Sequence, residues 1–349
     1  MSPFVDDPLA VMGRIDPKYK PVWAGRSEAE QLALARYFLP HRSGRPLLGP
    51  TRPRVVKWYC PFADQRQFPA GHRYCINVYT GCAHGCEYCY AAAYTPDGAR
   101  TKDRFASQIE RDMEDLERFD VPPAPVHLSN STDPFQPLEI EARHTQLTLE
   151  RIVAYRRRFT SVVVLTRNPL LASRPPYIEL LRSIGEPCRV EVSLAFNREE
   201  ARRVYDPHAP TVADRVAGIL ALRRAGIPVA LRIDPLLPPA LSELGLPEAQ
   251  TRDDLESLVR LAADAGVTHV VWSVVKVVRS RAGRLSPVMQ AVKAAFERMA
   301  GPRKLVFRGG SWRLPEQIAA DRMVHPFLEL CRRHRVSAEH CMDNLLRTR

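Results

Sequence analysis

The stretch Tyr74-Cys75-Ile76-Asn77-Val78-Tyr79-Thr80-Gly81-Cys82-Ala83-His84-Gly85-Cys86-Glu87-Tyr88-Cys89-Tyr90 decides how the rest of the chain is read. Residues 75–79 form a short apolar run that reads as a strand. Directly after it, Cys82, Cys86 and Cys89 stand at C-x3-C-x2-C spacing. Three thiolates this close in sequence reach one metal centre only if the loop curls around it, and Gly81 and Gly85 supply the backbone freedom. Soft thiolates select zinc or iron–sulfur clusters. Structural zinc normally takes four protein ligands at paired spacings, and no second C-x2-C pair follows. A disulfide would leave one cysteine over. A [4Fe–4S] cube held by three cysteines keeps one iron open to a chelating molecule; a zinc knuckle is the alternative.

Outward from this loop, short Val- and Ile-rich runs alternate with amphipathic segments. Strands are expected at 75–79, 126–129, 161–166, 189–195, 229–233 and 269–275. Helices are expected at 104–119, 145–158, 177–184, 213–225 and 253–265. Two helices end in Ala-Gly followed by a β-branched residue (Ala225-Gly226-Ile227 and Ala265-Gly266-Val267), a stop signal with glycine just past the last turn. About six repeats of strand then helix mean an α/β fold with a parallel sheet, open or closed into a barrel. In either case functional groups belong at the C-terminal ends of the strands. Residues 1–74 read as a Pro- and Arg-rich N-terminal extension with one helix, capped by Ser27 and Glu30 and carrying Leu32, Leu34, Ala35 and Phe38 on its apolar face. Residues 75–280 carry the alternation. Residues 281–349 read as a helical C-terminal cap containing the turn Arg308-Gly309-Gly310.

The chain's 349 residues are 45% hydrophobic and 26% charged, ordinary globular composition that argues against disorder. No apolar run approaches the ~18 residues of a membrane span. The N-terminus lacks the basic-then-apolar order of a signal peptide, so eight cysteines point to a reducing, cytoplasmic setting. The net charge of +12 rests mainly on Arg and suits a polyanionic partner, nucleic acid or an acidic protein. GC-rich coding would enrich Arg just as well.

The cysteine loop, with its aromatic Tyr88 before the third cysteine, resembles the signature of the radical S-adenosylmethionine (SAM) superfamily. Tyr79-Thr80-Gly81-Cys82, His84-Gly85-Cys86 and Tyr88-Cys89-Tyr90 are similar to its spore photoproduct lyase-like (SplB-type) branch. So are Ser131-Thr132-Asp133-Pro134-Phe135-Gln136-Pro137-Leu138-Glu139, Leu165-Thr166-Arg167, Asp206-Pro207-His208-Ala209-Pro210 and Asp234-Pro235-Leu236-Leu237-Pro238. The resemblance covers roughly residues 74–280 and implies a partial (β/α)6 barrel.

It also implies a [4Fe–4S] cluster on Cys82, Cys86 and Cys89, with SAM chelating the fourth iron. Reductive cleavage of SAM then yields a 5′-deoxyadenosyl radical that abstracts hydrogen from a substrate. By the same resemblance Tyr88 packs near the adenine, or is a core tyrosine beside the cluster. Ser131, Thr132 and Asp133, at the end of the second strand, meet the SAM amino group, or form an Asx or Ser/Thr turn before Pro134. Arg167 forks onto the SAM carboxylate, or lies on the surface. Ser193 bonds the ribose, or is a plain sheet serine, and Asp234 closes the fifth strand over the same mouth. Photoproduct lyases carry a hydrogen-donating cysteine where this chain has Asn130, whose bonds to hydrogen are not weak. Cys60, Cys75, Cys331 and Cys341 form either a second metal centre or free buried thiols. Three functions remain: a radical SAM enzyme on nucleic acid, one on a small molecule or peptide, and a zinc-stabilised binding module. Arg151, Arg156, Arg157 and Arg158, with Arg332, Arg333, His334 and Arg335, are candidate phosphate contacts. The basic balance also suits a flavodoxin- or ferredoxin-type reductant.

Overall fold

The computed structural model describes Ser27 and residues 55–57, 74–118 and 123–341. The helix expected after Ser27, together with Cys60, lies outside these residues. Eight strands form one sheet: β1 (Val56–Lys57), β2 (Tyr74–Ile76), β3 (Ala124–Leu128), β4 (Phe159–Thr166), β5 (Cys188–Ser193), β6 (Val229–Leu236), β7 (His269–Val274) and β11 (Ser337–His340). They lie in the order β1-β2-β3-β4-β5-β6-β7-β11. β2 to β7 run parallel in chain order, β11 adds parallel to β7, and β1 closes the other edge antiparallel to β2. The six expected strands are all present, and the sheet stays open.

Parallel strands in chain order, joined by right-handed crossovers, put the helices on one face of the sheet, while His127, Arg232 and Asp234 line the cavity on the other. Val126, Val162, Val164, Val190, Val192 and Val270 are fully buried. Each such side chain contributes about 1.5–3 kcal/mol of transfer free energy. The crossovers are α1 (Phe105–Arg118), α2 (His144–Ala154), α3 (Tyr177–Ile184), α4 (Glu199–Tyr205) with α5 (Val212–Arg224), and α6 (Arg252–Asp264). α5 and α6 stop at the expected glycines, where Gly226 (φ 78°) and Gly266 (φ 68°) are left-handed. α2 is shorter than its periodicity suggests, ending in a 3-10 turn at Arg156–Arg158.

The C-terminal part supplies the expected helices, α7 (Pro287–Ala300) and α8 (His325–Arg333), but it is not purely helical. β8 (Val277–Val278), β9 (Val306–Arg308) and β10 (Ser311–Arg313) form a small antiparallel sheet in the order β8-β10-β9. β11 then returns to the main sheet. Its sequence, Ser337-Ala338-Glu339-His340, is polar because this edge strand stays partly exposed, so it carries no apolar signal.

Candidate functional site

The loop after β2 is held from three sides. Thr80 and Arg100 exchange backbone hydrogen bonds of 3.0 and 2.9 Å. Gly81, at φ 73°, passes so close to its neighbour that a Cβ there would sit 1.8 Å from the Gly98 carbonyl oxygen. Fully buried Gln136 accepts from the Ala83 N–H (2.9 Å) and donates to Thr132 Oγ1 (2.9 Å). Thr132 in turn donates to the Gly81 carbonyl at 2.5 Å. On the far side, the Glu87 N–H donates to the Tyr205 carbonyl and the His208 N–H to the His84 carbonyl. The Asp206-Pro207-His208 motif is therefore the shelf on which the cysteine loop rests.

This packing directs Cys82, Cys86 and Cys89 into one cavity of about 390 Å³ at the C-terminal ends of the strands. Burial pushes the Cys82 thiol up to about 12, with Asp133 adding to the effect, and pushes Cys86 well up. Arg167 pulls Cys86 back down in part, while Asp206, Cys89 and Cys82 push it further up. Thiolates there need positive charge supplied beside them, and iron supplies it. Among the described residues no group of three or more His, Cys, Asp or Glu is disposed to hold a single metal ion. A cube takes one thiolate per corner and asks for wider spacing than one ion's ligands. The donor set fits the cube.

Around the thiols the sequence-predicted residues divide. Tyr88, Ser131, Thr132, Arg167, Ser193 and Asp234 all line the cavity. Asp133 does not. Its Oδ1 accepts from the Phe135 N–H (2.9 Å) and Thr166 Oγ1 (2.8 Å), and its Oδ2 from the Arg167 N–H (2.6 Å). His84 Nε2 lies 3.3 Å from Oδ2, so the carboxylate is fully occupied and ties the β3 loop to β4. Burial opposes its ionisation, yet His84 and these N–H groups hold it below the usual carboxylate range. Thr132 likewise spends its hydroxyl on the cysteine loop. Ser131 Oγ lies 3.0 Å from the Tyr94 hydroxyl.

Tyr88 is at once a core residue and a cavity wall. Its hydroxyl donates to Asp206 Oδ1 at 2.5 Å, and its ring packs against Phe196 at 5.9 Å. The Arg167 guanidinium lies 5.8 Å from the Tyr88 ring centroid, and its Nε, 3.7 Å from Asp206 Oδ1, is buried with no hydrogen-bond partner. That cation faces a cavity, as a carboxylate-binding group should. Arg215, 1% exposed, donates to Asp206 Oδ2 at 3.0 Å. Asp234 accepts from Arg232 and from Ser273.

Sequence reasoning missed several residues here. Asp206 was visible only as part of a motif, and Arg215 sits unmarked inside a helix. Ser129 was read as a strand end. It adopts φ 65°, is fully buried, and its hydroxyl has no partner while lining the cavity. Six of the eight expected phosphate contacts make ion pairs or hydrogen bonds within the fold, although the Arg157 side chain stays 77% exposed. Arg151 and Arg158 pair at 2.8 Å with Glu110 and Glu117, and Arg157 donates to Glu117 at 2.9 Å. Arg156 donates to the Ile184 carbonyl, and Arg333 and His334 both reach Glu256. Of the described cysteines outside the loop, Cys75, Cys188 and Cys331 are buried and form no disulfide, and Cys341 lines the cavity.

The Radical SAM superfamily model matches residues 76–261, over half of the chain. The chain belongs to the radical SAM superfamily. Its cofactors are accordingly a [4Fe–4S] cluster and SAM. Uncharacterized proteins of Mycobacterium tuberculosis and Mycobacterium bovis are each 31% identical over 210 residues, which cover 57% of this chain and 57% of theirs. This radical SAM chain thus matches little more than half the length of those relatives. Among solved structures, spore photoproduct lyase with bound AdoMet and dinucleoside spore photoproduct superposes with a TM-score of 0.58 at 12% identity, covering 91% of this chain and 85% of that one. A second lyase complex with the dinucleoside gives 0.57 at 13% identity, covering 84% and 80%. The shared fold is that of the lyase. No described helix is long and apolar enough to cross a membrane.

Proposed function

We propose that this protein is a radical SAM enzyme that abstracts hydrogen from a nucleic-acid substrate. One observation carries the choice of substrate. The β9–β10 hairpin, turned by Gly309-Gly310, presents Phe307 at 61% exposure. From residue 279 to 313, Arg and Lys outnumber the single acid, Glu297, by nine to one. Arg279 lies over Trp312 at 4.9 Å, and Phe307 packs on the same ring at 4.9 Å. An exposed aromatic set among arginines is what single-stranded nucleic acid stacks on and pairs with. The patch also adjoins the cavity: β8 follows cavity-lining Lys276 directly, and the Arg281 N–H donates to the carbonyl of Ala92, another lining residue.

Cys82, Cys86 and Cys89 would hold the cluster, Arg167 the SAM carboxylate, Ser131 and the one remaining acceptor lone pair of Thr132 its amino end, Ser193 the ribose and Tyr88 the adenine face. When bound, cluster and SAM together supply a carbon-centred radical strong enough to take hydrogen from an unactivated C–H bond. The chain's own residues fix the cysteine loop and pre-orient Arg167 against Tyr88 and Asp206. Asp133 acts as a positioning residue. The electron would come from a flavodoxin or ferredoxin in the cytoplasm. We keep residues 1–74, 75–280 and 281–349 as extension, catalytic body and substrate-facing part.

The lyase reaction itself is not carried over. Asn130 replaces the donor cysteine, and its amide donates to Cys75 Sγ at 3.3 Å. That same substitution favours the second reading, a small molecule or peptide altered irreversibly. Binding of a short single-stranded DNA, followed by fluorescence anisotropy, separates the two. On the nucleic-acid reading, affinity falls steeply between about 50 and 200 mM salt. Phe307→Ala then weakens it by roughly tenfold, in line with about 1–3 kcal/mol per stacked base. Added DNA raises 5′-deoxyadenosine release. Absent or salt-insensitive binding sinks this reading in favour of the second.

A further inference from the structure

The cavity that receives the cluster thiols also receives a thiol from the other end of the chain. β11 pairs with β7, and the Cys341 N–H donates to the Trp272 carbonyl at 2.8 Å, which delivers Cys341 into the cavity wall. Its neighbours are the groups at the ends of β6 and β7: Ser273, which hydrogen-bonds it, Asp234, Arg232 and Lys276. None of the cluster cysteines is among them, so Cys341 belongs to the wall on the β6–β7 side and is not a fourth ligand.

Burial, then Asp234, pushes the Cys341 thiol up, so it stays S–H at neutral pH. A protonated thiol is a poor metal ligand and a poor nucleophile. An S–H bond is, however, weaker than most C–H bonds and yields its hydrogen atom readily to a carbon radical. A second feature marks this cavity as a ligand site. The Ser129 hydroxyl is fully buried, unpartnered and part of the same wall, on a backbone held at φ 65°. A left-handed, buried non-glycine residue with an unmet hydroxyl is strain kept where a bound molecule supplies the missing partner. Cys75, Cys188 and Cys331 are buried outside the cavity lining, so among the described residues Cys341 is the thiol that a radical in this cavity meets beyond the cluster loop.

We propose that Cys341 is the hydrogen-atom donor that quenches the substrate radical in this cavity. The inference rests on the radical SAM reading above. In the step, the Cys341 S–H bond breaks and a C–H bond forms on the substrate, one hydrogen atom crossing and a thiyl radical remaining on sulfur. One electron from a flavodoxin- or ferredoxin-class reductant and one solvent proton restore the thiol.

The test uses the reconstituted holoenzyme with SAM and a one-electron reductant in D2O, without added nucleic acid. With no substrate present, the radical takes the weakest bond within reach, now S–D. The 5′-deoxyadenosine released by the wild type then carries one added deuterium, and that released by Cys341→Ala and by Cys341→Ser carries none. Label that persists in both variants, or is missing from the wild type, overturns the proposal. A second readout needs no turnover. In unreduced holoenzyme, under alkaline conditions where N-ethylmaleimide labels Cys341 slowly in the absence of SAM as read by peptide mass, added SAM slows that labelling, and an unchanged rate overturns its place in the cavity. Failure to release any 5′-deoxyadenosine would instead strike the radical SAM reading, and the maleimide experiment still judges Cys341.

Discussion

The Tyr88 hydroxyl donates to Asp206 Oδ1 across 118 residues of sequence, at 2.5 Å. Through that contact the cysteine loop and the turn after α4 become one unit, and Arg215 and Arg167 complete it. Burial would raise the Asp206 carboxyl, but Arg215 and Arg167 hold it at about 2.

Asp206→Ala leaves Arg215 buried and uncompensated. Breaking a buried pair from one side costs about 3–5 kcal/mol. Denaturant unfolding should show that loss, with iron per chain falling in the same variant because the shelf under Glu87 loosens. Adding Arg215→Met to Asp206→Ala should recover part of the stability. If both single and double variants unfold like the wild type, Asp206 is not the anchor described here.

Substitutions at two glycines separate close approach from mere backbone handedness. Gly226→Ala meets nothing within 4 Å and bears only the left-handed penalty, about 1–2 kcal/mol. Gly81→Ala bears the same penalty and also drives a Cβ to 1.8 Å from backbone. The loop must move. Iron and sulfide analysis after reconstitution should find Gly226→Ala loaded normally and Gly81→Ala depleted. Equal loading would mean the loop tolerates displacement.

These residues also show what the sequence made legible. The Val-rich strands and the two Ala-Gly stops were readable because burial against the helices and helix termination leave local patterns. Cys82, Cys86 and Cys89 were readable because the cluster loop is contiguous. The ion pair of Arg215 with Asp206 left no trace, since neither neighbour announces a partner on another element. β11 was silent because an exposed edge strand needs no apolar residues. Asp133 was legible only as a choice between a SAM contact and an Asx turn before Pro134: an acid at a strand end looks like a ligand group, and the Phe135 N–H donating to its Oδ1 shows the turn.

A pH dependence follows from Glu191. Burial alone would raise its carboxyl above 4.5, but Arg232 and Arg189 bring it down to about 2. Both guanidiniums lie 2.5 Å from its oxygens, and its side chain is 3% exposed. A depressed folded-state value means the stabilisation is complete above about 4.5 and disappears as pH falls toward about 2. The contribution at neutral pH is on the order of 3 kcal/mol. Urea unfolding of Glu191→Gln should therefore show lower stability at neutral pH and a flatter acid limb. A parallel downward shift, with the wild-type slope kept below pH 4.5, would assign the acid loss to other carboxylates.

Gln136 gives the most local test of the cluster loop. Its side chain is fully buried and satisfies three groups at once: the Ala83 N–H, the Thr132 hydroxyl and, at 3.4 Å, the Gly81 carbonyl. Gln136→Leu keeps most of the volume and removes every polar partner. Leaving a buried N–H unpaired costs about 1–3 kcal/mol, so the fold should survive. The effect should concentrate on the loop. Chelator-driven bleaching of the cluster, followed by its visible absorbance, should run faster in Gln136→Leu, while thermal unfolding of the chain shifts by only a few degrees. Gln136→Glu is the sharper control. It retains an acceptor for Ala83 but loses the donor to Thr132 and Gly81, and it adds negative charge beside three thiolates, so it should bleach faster still. A variant pair that unfolds early but bleaches at the wild-type rate would show that Gln136 serves the core and not the loop.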